Sequence, residues 1–176
     1  MAFFSLTTLS YSKQPATVSL PEDSSISCND SIDLVKSELS TKGFFIPWKV
    51  PQLSVVGRPQ VKIDKSTIRE NYYDYPERRT ETVVFVLGEV ANLYSSPRYM
   101  ATLASKIMAE CNNIGLVQFA YWWEGAASIG YFPDNTAREF INLYSQSEEQ
   151  LKLFSKTVRT SQGDHSLFKW GYTYSD

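Results

Sequence analysis

The sequence predicts a single α+β domain, with a mainly antiparallel sheet packed against two to four helices and a flexible N-terminal arm. Segments of apolar and β-branched residues, of which TVVFVLGEV (82–90) is the clearest, are typical of strands. Two other stretches, 32–39 and 100–111, repeat apolar residues at helical spacing. The predicted order β, α, several β, α, ββ, αα, β favours α+β architecture. A length of 176 residues suits one hydrophobic core.

The first 30 residues are predicted to form the arm, and residues 31–176 the globular domain. Residues 14–31 are rich in Ser, Pro, Asp and Asn and carry no sustained period. The apolar patch ahead of them is either a short strand of the same domain or a segment that orders only against another surface. We assign this patch to self-association, and it consists of Phe3, Phe4, Leu6 and Leu9.

A first helix is predicted from Asn29, with Asp30 or Ser31 as its N-cap and Gly43 at its end. Its apolar stripe consists of Ile32, Val35 and Leu39. Short strands follow within 44–63, broken by proline and glycine.

A second helix is predicted after TVVFVLGEV. Ser96 is its expected N-cap, Pro97 lies in its first turn, and its apolar positions run from Met100 to Cys111. Residues 116–123 and 126–132 then form an expected hairpin.

The C-terminal third is predicted to contain a helix or helix pair and a last strand. The expected helical residues are Phe140, Ile141, Leu143, Tyr144, Leu151, Phe154 and Val158. Ser147 and Gln150 have the spacing of a capping box. The alternation in SLFKWGYTY (166–174) predicts the final strand.

Two adjacent tryptophans end the predicted strand LVQFAYWW (116–123). Successive side chains of a strand leave on opposite faces, so Trp122 and Trp123 cannot both enter the same core. Trp123 shares the core face with Val117 and Phe119, whereas Trp122 is expected among small or polar neighbours, opposite Ala127. Either a helix of the same chain covers Trp122, or Trp122 is a docking site. We assign it to self-association.

The residue types that carry chemistry are sparse. His165 is the one histidine and lies in a turn-like sequence, while Cys28 and Cys111 are predicted to be two reduced thiols, with Cys111 facing inward. No phosphate-binding loop or metal-ligand spacing occurs in the sequence. We therefore expect a non-enzymatic protein with no metal, cofactor or small-molecule substrate.

Charge favours a local rather than a general contact with nucleic acid. The net charge of −2 and the pI near 5.5 supply no overall positive field. Cations and tyrosines are interleaved in the middle of the chain, as a nucleic-acid contact requires. Neighbouring acids, Asp74 among them, nearly cancel this charge and favour the alternative of a self-paired solvated face. The candidate contacts with nucleic acid or nucleocapsid are Arg69, Tyr72, Tyr73, Arg78, Arg79 and Arg98.

The stretch TETVVFVLGEVANLYSSPRYMATLASKIMAEC (80–111) resembles the start of the globular domain of rhabdovirus matrix proteins, particularly those of plant-infecting members such as cytorhabdoviruses. In that family a β-branched and aromatic strand leads through a polar turn with Pro and Arg into an Ala-rich amphipathic helix. Here these parts are 83–90, 95–98 and 100–111.

The resemblance implies a viral structural protein that self-associates, condenses the nucleocapsid and touches the inner membrane face. Its expected partners are a second copy of itself, viral nucleoprotein bound to RNA, and the inner membrane surface. Its expected location is the virion and the reducing host cytoplasm. A viral RNA-binding accessory protein such as a silencing suppressor is the second hypothesis. A small enzyme or ligand-binding domain is the third.

Overall fold

The computed structural model describes residues 14–21, 26–45, 61–65, 67–75, 78–121, 125–144, 147–160 and 163–174. It confirms the α+β prediction, with a six-stranded, mostly antiparallel sheet and five helices in the described ranges. The helices are α1 (Cys28–Thr41), α2 (Thr67–Asn71), α3 (Ala91–Tyr94), α4 (Pro97–Glu110) and α5 (Glu148–Phe154). The strands are β1 (Thr17–Ser19), β2 (Val61–Asp64), β3 (Glu81–Leu87), β4 (Ile114–Tyr121), β5 (Ala126–Phe132), β6 (Thr136–Glu139), β7 (Ile141–Asn142), β8 (Ser155–Thr160), β9 (Gly163–Phe168) and β10 (Tyr172–Thr173).

The main sheet has the strand order β1-β6-β5-β4-β3-β2. Every pair in it is antiparallel except β3 and β4, which are parallel. A parallel pair needs a crossover connection, and α3 and α4 supply it here. The clearest predicted strand, TVVFVLGEV, corresponds to β3, which lies next to the edge strand β2.

Helix α1 confirms the predicted stripe, since Ile32, Val35 and Leu39 are buried. The predicted cap is wrong: Ser27 is the N-cap, and its hydroxyl accepts a hydrogen bond from the Asp30 backbone N–H. The cap thus lies about one turn earlier than expected, and the helix begins at Cys28, one residue before the predicted Asn29. Gly43 follows the helix with φ of 78°, as a C-terminal glycine does.

Helix α4 is the central helix of the larger core. It begins at Pro97 as predicted, although the Ser96 side chain makes no capping hydrogen bond. Its buried face packs on the sheet face that carries Val117 and Phe119. The prediction of two reduced thiols is wrong, because Cys28 and Cys111 form a disulfide that joins the start of α1 to the end of α4. The inward direction of Cys111 is confirmed by its 1% exposure.

Strands β4 and β5 form the predicted hairpin. In its register Phe119 lies opposite Ala127 and Ala120 opposite Ala126. Cross-strand partners point to the same face, so Ala127 faces the core and cannot lie opposite Trp122 as expected. Trp122 and Trp123 themselves lie outside the described residues.

The helix pair predicted after residue 135 is wrong in its first half. Residues 136–139 form β6, which pairs with β5, and Ile141 and Asn142 form β7. The spacing of Phe140, Leu143 and Tyr144 imitates a helix, but Asn135 with φ of 60° completes a turn that pairs β6 with β5. The second half is a helix, α5, and its capping box between Ser147 and Gln150 is confirmed.

The C-terminal segment contains more and shorter strands than predicted. Val158 belongs to β8 rather than a helix, and the last predicted strand is divided into β9 and β10 by a turn at Trp170 and Gly171. Gly171 has φ of 95°, which allows that turn. Strands β8 and β9 therefore form a separate two-stranded sheet, and β10 pairs in parallel with β7.

Part of the predicted arm lies in the folded domain. Thr17–Ser19 pairs with β6 at the edge of the main sheet, and α1 begins at Cys28. Leu20 is buried against the larger core. The patch Phe3, Phe4, Leu6 and Leu9 lies outside the described residues.

Gly130 is required by close packing on the second face of the sheet. A Cβ at this position would lie 2.6 Å from the Trp170 ring and in still closer contact with the Phe140 ring. We expect Gly130→Ala to lower the free energy of unfolding by about 2 to 3 kcal/mol, because both rings must shift. Chemical denaturation checks this value. In the background Phe140→Leu, whose side chain is smaller, the same substitution should cost less; equal losses in both backgrounds would contradict this explanation.

Candidate interaction surface

A cluster of aromatic residues covers part of the second face of the sheet. Its buried centre is Tyr72, Phe140 and Trp170, which pack beside Ile68 and Leu116. The Trp170 ring lies 5.1 Å from Tyr72 and 4.6 Å from Phe140, both in edge-to-face geometry. Such pairs add favourable energy to the burial of their area. The cluster anchors the C-terminal segments to the sheet.

Two hydrogen bonds hold Trp170 in this cluster. Its backbone N–H donates to Asp74 Oδ1 at 2.6 Å, and its Nε1–H donates to the Tyr131 carbonyl oxygen at 3.1 Å. Asp74, one of the acids that nearly cancel the positive charge of the middle segment, therefore positions the turn at Trp170. These bonds fix the turn that leads into β10.

A row of partly exposed aromatic rings lies over the anchored C-terminal segments, and we call it the aromatic strip: Tyr73, Phe168, Tyr174 and Tyr144. The Tyr174 ring lies 6.4 Å from Phe168 and 6.2 Å from Tyr144, with interplanar angles of 15° and 31°. Tyr73 joins the row through its backbone N–H, which donates to the Phe168 carbonyl oxygen at 3.2 Å.

The side chains of the strip leave a large aromatic surface open to solvent. Tyr144 is 63% exposed, Tyr73 40% and Tyr174 39%. Ile141, three residues before Tyr144, is also 40% exposed. Scattered apolar residues are normal on a surface, but a continuous row of them marks an interaction site. Tyrosine in particular is enriched at protein interfaces.

Strands β8 and β9 form a two-stranded ribbon next to the strip, and we call these strands the ribbon. Phe168 is its last residue, and at its base the Phe154 ring stacks on Tyr172 at 4.1 Å. Beyond this base the described side chains of both strands are exposed or half-buried on both faces. A two-stranded hairpin has little stability in water by itself, so such a ribbon gains from a partner.

Two of the predicted nucleic-acid contacts have partners inside the fold. Tyr72 is 6% exposed in the aromatic cluster, where burial raises the pKa of its hydroxyl above the usual value. Arg79 donates to the carbonyl oxygens of Met108, Cys111 and Ile114, at 2.6, 3.3 and 3.2 Å. Its guanidinium also lies 3.7 Å from the centre of the Tyr131 ring. Arg79 therefore stabilises the C-terminus of α4, where helix carbonyls lack internal partners.

The other candidate contacts are exposed but dispersed. Arg69 lies on α2 beside the strip residue Tyr73, and Arg78 precedes β3. Arg98 lies in the first turn of α4, at the opposite end of β3, so the length of a seven-residue strand separates it from Arg78. That length is about 20 Å. The fold does not gather these residues into one patch.

Part of the middle segment is self-paired, as the alternative hypothesis expected. Lys62 Nζ lies 2.6 Å from Asp64 Oδ1, and Lys65 Nζ lies 4.0 Å from Glu81 Oε1. Exposed pairs of this kind contribute little to stability, yet they reduce the charge available to phosphates.

A cleft of about 220 Å³ lies at the edge where β6 diverges from β5. Its wall includes Tyr94, Glu139 and Ser128. The Tyr94 hydroxyl donates to the Phe119 carbonyl oxygen at 2.7 Å, and Glu139 Oε2 accepts from the Ala16 backbone N–H at 3.3 Å. These polar groups thus already serve the fold, and burial raises the pKa of Tyr94.

Comparisons with known proteins leave the chain without a family. No protein-family profile, curated protein or solved structure matches it. The resemblance to rhabdovirus matrix proteins therefore stays a prediction. In the part of the chain that the structure describes, no three His, Cys, Asp or Glu side chains group as a metal site. Over the same ranges, no helix is long and apolar enough to cross a membrane.

Sequence reasoning missed most of the strip. Tyr73 was singled out, but as a nucleic-acid contact, and Phe168, Tyr144 and Tyr174 were read as parts of regular elements. The available signal was the density of aromatic residues, seven between 140 and 174. The predicted self-association residue Trp122 lies outside the described ranges.

Proposed function

We propose that this chain is a non-enzymatic structural protein of viral matrix type, which works by self-association and condenses the nucleocapsid or bridges it to the envelope. The observation that carries this proposal is the aromatic strip. Three of its rings, Phe168, Tyr174 and Tyr144, pack in sequence and remain partly open to solvent, while a separate buried cluster anchors the segments that carry them. Its partners are a second copy of the chain, nucleoprotein bound to RNA, and the inner membrane surface, in the virion and host cytoplasm.

A second copy is the occupant that the strip favours. The strip itself consists only of Tyr and Phe side chains, and its exposed rings can bury apolar area while their hydroxyls keep water or a polar partner. Tyrosines of this kind are frequent hot spots in protein contacts. Nucleic acid is the competing occupant, since Arg69 lies four residues before Tyr73 and Lys169 directly follows Phe168.

The test is a double variant of the strip, Tyr144→Ser with Tyr174→Ser. We expect self-association to weaken by about 2 kcal/mol or more, as for hot-spot aromatics, with little change in domain stability because both rings are exposed. Sedimentation over a range of concentrations measures the first effect, and chemical denaturation the second. Ile63→Ser is the matched control, since Ile63 is 42% exposed on β2 and lies outside the strip.

Two outcomes would contradict the proposal. A wild-type chain that stays monomeric at all concentrations would exclude self-association as its function. Tight binding to single-stranded RNA that persists in high salt would instead favour the accessory RNA-binding protein, because contacts made through phosphates weaken steeply with salt.

A further inference from the structure

The ribbon combines positive charge with exposed apolar side chains. Residues 155–169 contain Lys156, Arg159 and Lys169 against one acid, Asp164, so this segment carries a net charge of +2. In its register Lys156 lies opposite Leu167, and Val158 opposite His165. These four side chains share one face, on which Val158 and Leu167 are half-buried and both Lys156 and His165 are exposed. Arg159 and Asp164 lie on the other face.

The outer face of α1 has the complementary character. The helix buries Ile32, Val35 and Leu39, so its opposite side faces away from the core. On that side Leu34 is 57% exposed, and Asp33 is exposed beside it. Asp30, one turn earlier, and Ile26, which precedes the helix, are exposed as well. An apolar residue among acids thus faces solvent along this helix.

These two surfaces lie on opposite sides of the molecule. Helix α1 packs on α4, which covers the core face of the sheet. The ribbon ends at Phe168, which packs with the aromatic cluster on the other face. One molecule therefore cannot bring its own ribbon to its own α1.

We propose that the Lys156, Val158 and Leu167 face of the ribbon docks on the outer face of α1, around Asp33 and Leu34, in a second copy of the chain. This inference rests on the proposed function and names a contact for it. A contact between two different surfaces is heterologous, and it adds copies in a line unless rotation closes a ring. Together with the aromatic strip it gives each copy two independent contacts, as an extended lattice requires.

Charge favours a second copy over other occupants. The chain's net charge is −2 and that of residues 155–169 is +2, so the remainder carries −4. Copies are therefore attracted when the ribbon of one meets the body of the next. Among the described residues neither Lys156 nor Asp33 forms an ion pair, so both charges are available. The contact should weaken as salt rises.

The test uses charge reversal in the full-length chain, followed by sedimentation at low and high salt. We expect Lys156→Glu and Asp33→Lys each to weaken self-association by about tenfold or more, because like charges then face each other. Arg159→Glu is the matched control for the first, on the other face of the ribbon. Glu149→Lys, exposed on α5, is the control for the second. Both controls should have clearly smaller effects.

Rescue identifies the partner. The double variant, and equally a mixture of the two single variants, restores opposite charges at every contact and should recover association. If RNA occupies the ribbon, Lys156→Glu and Arg159→Glu weaken RNA binding alike and Asp33→Lys rescues neither; that result overturns the inference. A third outcome separates this inference from the proposed function. If the double variant of Tyr144 and Tyr174 weakens association but no charge reversal does, this inference alone is overturned. A monomeric wild type overturns the proposed function as well.

Discussion

Replacing Trp170 with alanine is expected to lower the free energy of unfolding by about 3 to 5 kcal/mol, the usual loss for a buried large aromatic residue. Trp170 is 6% exposed and packs against Tyr72, Tyr75 and Phe140. The substitution also removes the Nε1–H donor to Tyr131 and leaves a cavity above Gly130. Urea denaturation of dilute protein, where association does not contribute, measures this loss.

Tyr174→Ala supplies the comparison, because Tyr174 is aromatic but 39% exposed in the strip. We expect a loss of about 1 kcal/mol or less from it. Similar small losses in both variants would mean that the aromatic cluster is not a core. Similar large losses would mean that the strip supports the fold and is not free to bind a partner.

Loss of the Cys28–Cys111 disulfide is expected to cost about 4 kcal/mol, since the cross-link closes a long loop in the unfolded chain. The two cysteines are 83 residues apart in sequence. Denaturation of the oxidised wild type, with and without a thiol reductant, measures the effect without any substitution. Stability should fall on reduction, and the calorimetric or urea midpoint should fall with it.

The double variant Cys28→Ala with Cys111→Ala is the control for reduction. It should match the reduced wild type in stability and should not respond to the reductant. A wild type that is equally stable with and without reductant would show that the cross-link contributes nothing to folding. A titration of thiols in the unfolded protein would establish whether the bond is present in the preparation.

The elements with a strong local signal were predicted correctly from the sequence. Helices α1 and α4 have apolar stripes long enough to be distinguished from strands, and β3 has β-branched residues in an uninterrupted run. The capping box at Ser147 and Gln150 is likewise local. The helix predicted over 136–144 was wrong because the apolar residues of this segment fit both the helical and the strand period. Pairing with β5, which is a tertiary contact, makes residues 136–139 a strand.

The candidate surface could be predicted only in part, because it is assembled from distant segments. Tyr73 meets Phe168 through a backbone hydrogen bond, and Tyr144 meets Tyr174 because β7 pairs with β10. Neither contact can be predicted from local sequence, because each joins residues that are far apart in the chain. The structural role of half-buried Arg79 was equally hidden, since a charged residue in a polar segment is normally exposed, and its carbonyl partners come from α4 and β4.

The pairing of β1 with β6 also sets an order of events during synthesis. Thr17 emerges from the ribosome long before Arg138, its partner in the ladder, has been made. Contacts between such distant residues form late, and until β6 has been made β1 has no partner strand in its own chain. Nascent copies on one messenger lie close together, and an unpaired β1 at the edge of the sheet is the strand that such copies are able to exchange. The chain's own β1 would then compete with an exchanged one, and the outcome would depend on how fast translation finishes.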